Sequence, residues 1–522
     1  MSGERNIDSI RALDKQVEEL EEALAKLKRT RNSLLNVHRL PSEILSKIFH
    51  QNVMLKGDFG GLKEGSHNFL FVCHHWYEVA SRALELWSFW GNTTEDWSRW
   101  YHRSAIAPLD LVLDCPDPDS FDSDAFDGLR DRASRDTIRR VHLKSHDSGD
   151  LDEVLSLLTT RREDIRSNRM ESLLLQNLDD RPLDVSNFFA HHYLPKLQRL
   201  NLLCCEISSW DFITSRTGAL TELHLDFVNP SPTPTTLQLF SIIVSNPDLR
   251  KVTLLHQAVP KDYTAATSSH APLHHLEQLC LSGETRRVFG LLQWLDYPIT
   301  LDKLAVTVHK CRATDVSQAI GPHLRNHFQR RGGSPSGLGL SLSCDDRIIF
   351  DVSEVSGMHL ESEHTGKIVA LSIQLDQSLP KDLLGKAALE LIASIPRENF
   401  LHFHGINEPV GMADVYTRLP NLKTLYLERI SLTAVFPGPD SNEGIPPSLQ
   451  TLAFQGLMVH GNDWSLLTTF LARRASSGKR LNVLRLSSSD YMCPELVESI
   501  KGTVQELSVK HMRPRIFSGI RL

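Results

Sequence analysis

Acidic, histidine-rich and glycine-rich stretches are where this 522-residue sequence could hold a metal ion or a phosphate. Seven aspartates fall between residues 114 and 131, including Asp122-Ser-Asp-Ala-Phe-Asp-Gly128. Carboxylates at alternate positions are what a calcium loop requires. Here the third ligand position is Phe126 and the glycine comes one place late, so an acidic surface loop is expected. His74-His75, His191-His192 and His274-His275 are adjacent pairs whose side chains diverge on a helix or strand, and none belongs to an HExxH zinc motif. Gly332-Gly-Ser-Pro-Ser-Gly337 lacks the Lys-Ser/Thr of a phosphate loop, and no GxSxG nucleophile elbow occurs. The eight cysteines form no CxxC pair and read as free thiols of a reducing compartment. No catalytic residue, metal or cofactor is expected.

A different chemistry, apolar contact, is written into residues 38–50: His-Arg-Leu-Pro-Ser-Glu-Ile-Leu-Ser-Lys-Ile-Phe-His. Pro41 suits the first turn of a helix, where its missing N–H costs nothing. Ile44, Leu45, Ile48 and Phe49 then share one helix face. A glycine-bearing loop follows at 56–66. Leu70-Phe-Val-Cys-His-His-Trp-Tyr-Glu-Val-Ala80 then places Val72, Cys73, Trp76, Val79 and Ala80 at helical spacing, and Leu86-Trp87 with Phe89-Trp90 closes the segment.

In order and spacing this segment resembles the F-box: Leu-Pro, Glu-Ile-Leu, Ile-Phe, a gap, Val-Cys-x-x-Trp, x-x-Ala and a late Leu-Trp. The resemblance covers about 50 residues, with a longer central loop than the most compact versions and histidines at 74 and 75 where basic residues are usual. It implies three helices that dock onto a Skp-type adaptor and, through it, a cullin. The implied contact set is Leu40, Pro41, Ile44, Leu45, Ile48, Phe49, Val72, Cys73 and Trp76. So small a segment cannot hide this many large apolar groups by itself, so a partner or the rest of the chain must cover them.

Ahead of it, residues 7–35 repeat apolar side chains in heptads, with Ile10, Val17 and Leu24 at a and Leu13, Leu20, Leu27 and Leu34 at d; Arg31 interrupts the a series. Such a helix either packs on its own domain or self-associates. A heptad helix running straight into the motif is similar to many fungal F-box proteins.

From about residue 106 the pattern apolar-x-x-apolar-x-apolar recurs, clearest at Leu197, Leu220, Leu249, Leu276, Leu301, Leu422, Leu449, Leu481 and Val504, with weaker copies at Ile138, Met170 and Ile368. Between Leu197 and Leu301 neighbouring starts lie 23 to 29 residues apart, within or near the leucine-rich-repeat range. Helical patterns lie between them, at 151–165, 236–245, 313–330, 382–395 and 463–475. The expected fold is α/β: an N-terminal helix (1–37), a three-helix segment (38–90), a linker with a first repeat-like strand and an acidic loop (91–137), and a curved repeat solenoid (138–512) with a tail at 513–522. It resembles the ribonuclease-inhibitor-like repeats found behind F-boxes, without their regular asparagine ladder. An irregular insertion is expected near 307–400. Strand alternation sends the leucines inward and lines a concave face with Asn201, His224, Thr253, Cys280, Ala305, Tyr426, Ala453, Arg485 and Ser508. Of these, Asn201, His224, Tyr426 and Arg485 are the candidate substrate contacts.

The bulk properties agree with a recognition protein. Apolar residues make up 41% and charged residues 23%, so a packed fold is expected. A net charge of −7 gives no basic footprint for nucleic acid, and no apolar run reaches membrane-spanning length. The expectation is a cytoplasmic or nuclear, non-catalytic adaptor of a ubiquitin ligase. The alternative is a repeat scaffold without a ligase role, in which the helical segment is only a cap.

Overall fold

The computed structural model describes residues 2–53, 66–91, 107–114, 137–159, 169–227, 233–261, 271–298, 303–309, 338–344, 348–354, 369–375, 400–404, 419–428, 432–436, 446–455, 463–488, 494–511 and isolated positions between these. The loop 56–66 lies almost wholly outside that set. So do the acidic stretch, the Gly332–Gly337 run, the helical patterns 313–330 and 382–395, and the tail. The chain is mixed α/β with largely parallel strand pairing, and it divides into two compact units, Met1–Leu220 and Thr221–Leu522.

In the first unit, α1 (Ser2–Ser33) leads through a 3-10 turn at Asn36–Arg39 into α2 (Ser42–Val53). Pro41 stands just before α2, and its carbonyl accepts the N–H of Ile44 and of Leu45 at 3.0 and 3.1 Å. It therefore caps the helix instead of occupying its first turn. A second 3-10 turn (Ser66–Phe71) precedes α3 (His74–Arg82). Leu84–Trp87 turns the chain into β1 (Phe89–Gly91), which runs parallel to β2 (Leu109–Asp114). Next come β3 (Ile138–Ser145), α4 (Ser148–Leu158), β4 (Ser172–Asn177) and β5 (Arg199–Leu203), each strand parallel to the one before. Asp147 caps α4 by accepting the Gly149 N–H at 2.8 Å.

The repeat spacing produces these strands because alternate leucines are inward. Val141, Leu143, Leu173, Leu175, Leu200 and Leu202 are all buried. Asn177 closes one step: its buried Nδ2 donates to the Arg181 and Cys204 carbonyls at 2.5 and 3.2 Å, and its Oδ1 accepts the Asp179 N–H at 3.1 Å. Cys204 adopts a left-handed backbone, φ 51°, where the chain bends out of β5.

The second unit contains β6 (Glu222–Phe227), α5 (Thr236–Ser245), β7 (Lys251–His256), β8 (Gln278–Glu284), α6 (Thr285–Trp294) and β9 (Lys303–His309). A capping box joins Thr235 and Gln238 at the start of α5. His256, at the repeat position equivalent to Cys204, is also left-handed, φ 53°.

After β9 the strand order changes. β10 (Leu338–Cys344), β11 (Ile348–Glu354) and β12 (Val369–Leu375) form an antiparallel meander. Its last strand, β12, lies parallel beside β9; its first, β10, lies parallel beside β13 (Phe400–His404). The chain passes over two strand positions, fills them on the way back, and then passes over again. From β13 the simple parallel order resumes through β14 (Thr424–Glu428), β15 (Thr451–Gln455), α7 (Asp463–Ser476), β16 (Leu481–Ser488) and β17 (Val504–His511).

Candidate docking surface and candidate recognition face

The helical segment has its own core. Leu45 and Phe49, one turn apart on α2, are buried with Phe69, Val79, Ala80, Leu86, Trp87, Phe89 and Val112. Phe49 stacks on Phe69 at 4.7 Å and meets Trp76 at 5.1 Å, which ties the 66–71 turn and α3 to α2. The Trp87 indole donates to the Ala80 carbonyl at 2.8 Å, and Asp110 N–H to the Ser88 carbonyl at 2.6 Å, fastening the segment to β2. Cys73 caps α3: its Sγ accepts the Trp76 N–H at 3.5 Å and lies 3.3 Å from His38 Nε2. Burial and the neighbouring His75 hold the His38 imidazole below its ordinary pKa.

The nine contact residues expected from sequence therefore do not share one surface. Leu45 and Phe49 are core residues of the segment and correct that expectation. Helical spacing of i, i+1, i+4, i+5 covers more than one side of α2, and the inner pair turns toward α3. Leu40, Cys73 and Trp76 are partly buried at the edge of the core, and the buried Trp76 Nε1 has no hydrogen-bond acceptor among the described residues. Pro41, Ile44, Ile48 and Val72 are exposed. Sequence reasoning passed over Phe71, which is 84% exposed beside Val72. Its lack of a place in the helical spacing was the available signal, since an unplaced aromatic next to a placed valine has no inward role.

A second candidate surface is built by strand register in the second unit. His224, Thr253, Cys280 and Ala305 are direct lateral partners on β6 to β9. The row continues through Ser372, Asp351, Ser341 and His402, then Tyr426, Ala453, Arg485 and Ser508. Eight of these twelve positions follow from the leucine spacing. The four from β12, β11, β10 and β13 do not, because the meander reorders the strands. His224, Tyr426 and Arg485 are half-buried while the leucines flanking them are buried, and the short Ala453 side chain is covered.

Asn201 stands apart. It lies in the first unit, in register with Leu174, His142 and Val112, all buried, and its buried Oδ1 has no hydrogen-bond donor among the described residues. Val112 belongs to the core of the helical segment, which closes that end of the row.

Polar pairs cross the strands beside the second unit's row. Lys251 meets Glu222 at 3.0 Å, and His256 Nδ1 donates to Asp226 at 2.6 Å. That hydrogen bond, with the carboxylate charge, raises the His256 pKa above its ordinary value. No group of three or more metal-ligating side chains occurs among the described residues, and no described helix is long and apolar enough to cross a membrane. Among the described residues, Cys73, Cys204, Cys205 and Cys280 form no disulfide. Compared with known proteins, the chain matches no family model and no curated relative.

Proposed function

We propose that this chain is the substrate-recognition subunit of a Skp-cullin-F-box ubiquitin ligase, with residues 38–90 docking onto the Skp-type adaptor and a leucine-rich-repeat solenoid holding a protein substrate. The observation that carries the reading is the split of the F-box-like segment into a packed interior and an exposed apolar set, Ile44, Ile48, Phe71 and Val72. A self-sufficient cap needs the interior alone. Four large apolar groups left in water on neighbouring elements call for a partner. The chain itself does no bond chemistry in this reading. It raises the effective concentration of a substrate lysine near the ubiquitin carrier.

The test is co-purification of the adaptor with the full chain carrying Ile48→Asp and Val72→Asp. Both sites are exposed, so folding is retained while adaptor capture is lost. Capture unchanged by the pair removes this surface from the proposal. One observation favours the second reading, a repeat scaffold capped by the helices: Val112 of β2 lies in the same core as Leu45 and Phe49. That reading predicts that deleting 38–90 unfolds the following strands and that no adaptor co-purifies.

A further inference from the structure

The longest helix among the described residues leaves its apolar stripe uncovered. On α1, Ile10, Leu13, Val17, Leu20, Leu24 and Leu27, followed by Leu34 just beyond its end, are all at least half exposed, with Leu20, Leu27 and Leu34 near 70% or above. Of the two outcomes open from sequence, packing on its own domain is therefore not the one adopted. We propose that α1 covers its stripe with α1 of a second copy of this chain, in antiparallel orientation.

Charge chooses the occupant and the direction. Glu18, Glu19, Glu21 and Glu22 form an acidic block, and Lys26, Lys28, Arg29 and Arg31 a basic one. Parallel pairing in register stacks each block on itself. It also sets Arg31 against Arg31 inside the seam, since Arg31 occupies an a position. Reversal removes both conflicts. With a positions meeting d positions, Ile10 packs on Leu34, Val17 on Leu27 and Leu24 on Leu20, which uses every apolar member of the stripe. Arg31 meets Leu13, with Asp14 of the other copy beside it. At the flanking e positions Asp14 faces Lys28 twice, once at each end, against a single Glu21–Glu21 contact at the centre. A charge at one a position that specifies orientation at some expense of stability is a known use of such residues. The dimer holds whether or not residues 38–90 dock an adaptor.

One consequence is a fixed spacing. The two Leu34 residues lie 24 helical positions apart along the seam, about 36 Å, so the two helical segments leave from opposite ends.

The experiment uses the intact chain. Sedimentation velocity across micromolar concentrations is expected to give twice the mass of one chain. Zero-length carbodiimide coupling is expected to join Asp14 to Lys28. Within one helix these residues are about 21 Å apart, so that link can form only between copies. Leu20→Glu with Leu27→Glu, both exposed in the single chain, is expected to weaken association at least about 100-fold while leaving the circular dichroism spectrum unchanged. A single-chain mass at all concentrations overturns the proposal, as does a dimer that survives the double substitution. A dimer without the Asp14–Lys28 link overturns the orientation.

Discussion

On α2 a rotation of about 100° separates each residue from the next, and Ile44 and Leu45 fall on opposite sides of the boundary between water and core. Leu45→Ala is expected to cost about 2–5 kcal/mol in urea unfolding and Phe49→Ala about 3–5 kcal/mol, because each leaves a void among Phe69, Trp87 and their neighbours. Ile48→Ala should stay within about 0.5 kcal/mol of the parent in the same measurement. The buried Asn177 is a polar counterpart. Asn177→Ala removes the side-chain donor to the Arg181 and Cys204 carbonyls and the acceptor of the Asp179 N–H, and is expected to cost about 1–3 kcal/mol. His256 supplies a pH dependence. Its pKa is raised by Asp226, so the pair stabilises the fold fully below the unfolded imidazole value of about 6.5. That contribution disappears as pH rises through the folded value. Asp226→Asn should lower the His256 midpoint followed by NMR and flatten stability across that window; an unmoved midpoint rules out the carboxylate as the cause.

Elements in this chain are held to one another by backbone capture as much as by leucine packing. Arg474 of α7 is buried, and its guanidinium donates to the carbonyls of Lys479, Pro446, Pro447 and Leu449 at 2.9 to 3.3 Å. It pins the helix to the turn that enters β15. Arg474→Met is expected to cost on the order of 3 kcal/mol, since it removes the side-chain donor from four carbonyls, of which Pro446 keeps only the Leu449 N–H; calorimetric unfolding measures it. The strands were legible from sequence wherever two leucines precede the alternating pair, as at Leu220–Leu225 before Phe227. β13 was not, because Glu398 stands where the leading leucine would be and Phe400-Leu-His-Phe-His404 carries alternation alone. Short helices such as Ser186–His191 span less than two turns, too few for a 3.6-residue period to register. On α2 the periodicity marked the apolar residues without their direction, because hydrophobic spacing does not say whether a leucine faces its own domain or another molecule.

For the whole molecule, the two units carry their candidate surfaces differently. The first has a strand row closed over Val112, His142 and Leu174 and exposes apolar groups from its helices. The second carries a strand row from His224 to Ser508 in which His224, Tyr426 and Arg485 are half-buried. Recognition spread along such a row predicts that Tyr426→Ala and Arg485→Ala each weaken substrate capture while adaptor capture stays constant, read by paired pull-downs from one lysate. The β10–β12 meander bears on how this array tolerates growth. Both of its outer strands keep the direction of β9 and β13, and only the middle one opposes them. An inserted meander preserves that polarity only when its strand count is odd. Three is the smallest such number that folds back on itself, and taking out all three would bring two like-directed strands, β9 and β13, face to edge as ordinary neighbours. The meander is thus a cassette obeying a parity rule: it can lengthen the row by three positions or vanish, while the loss of a single strand would invert everything that follows.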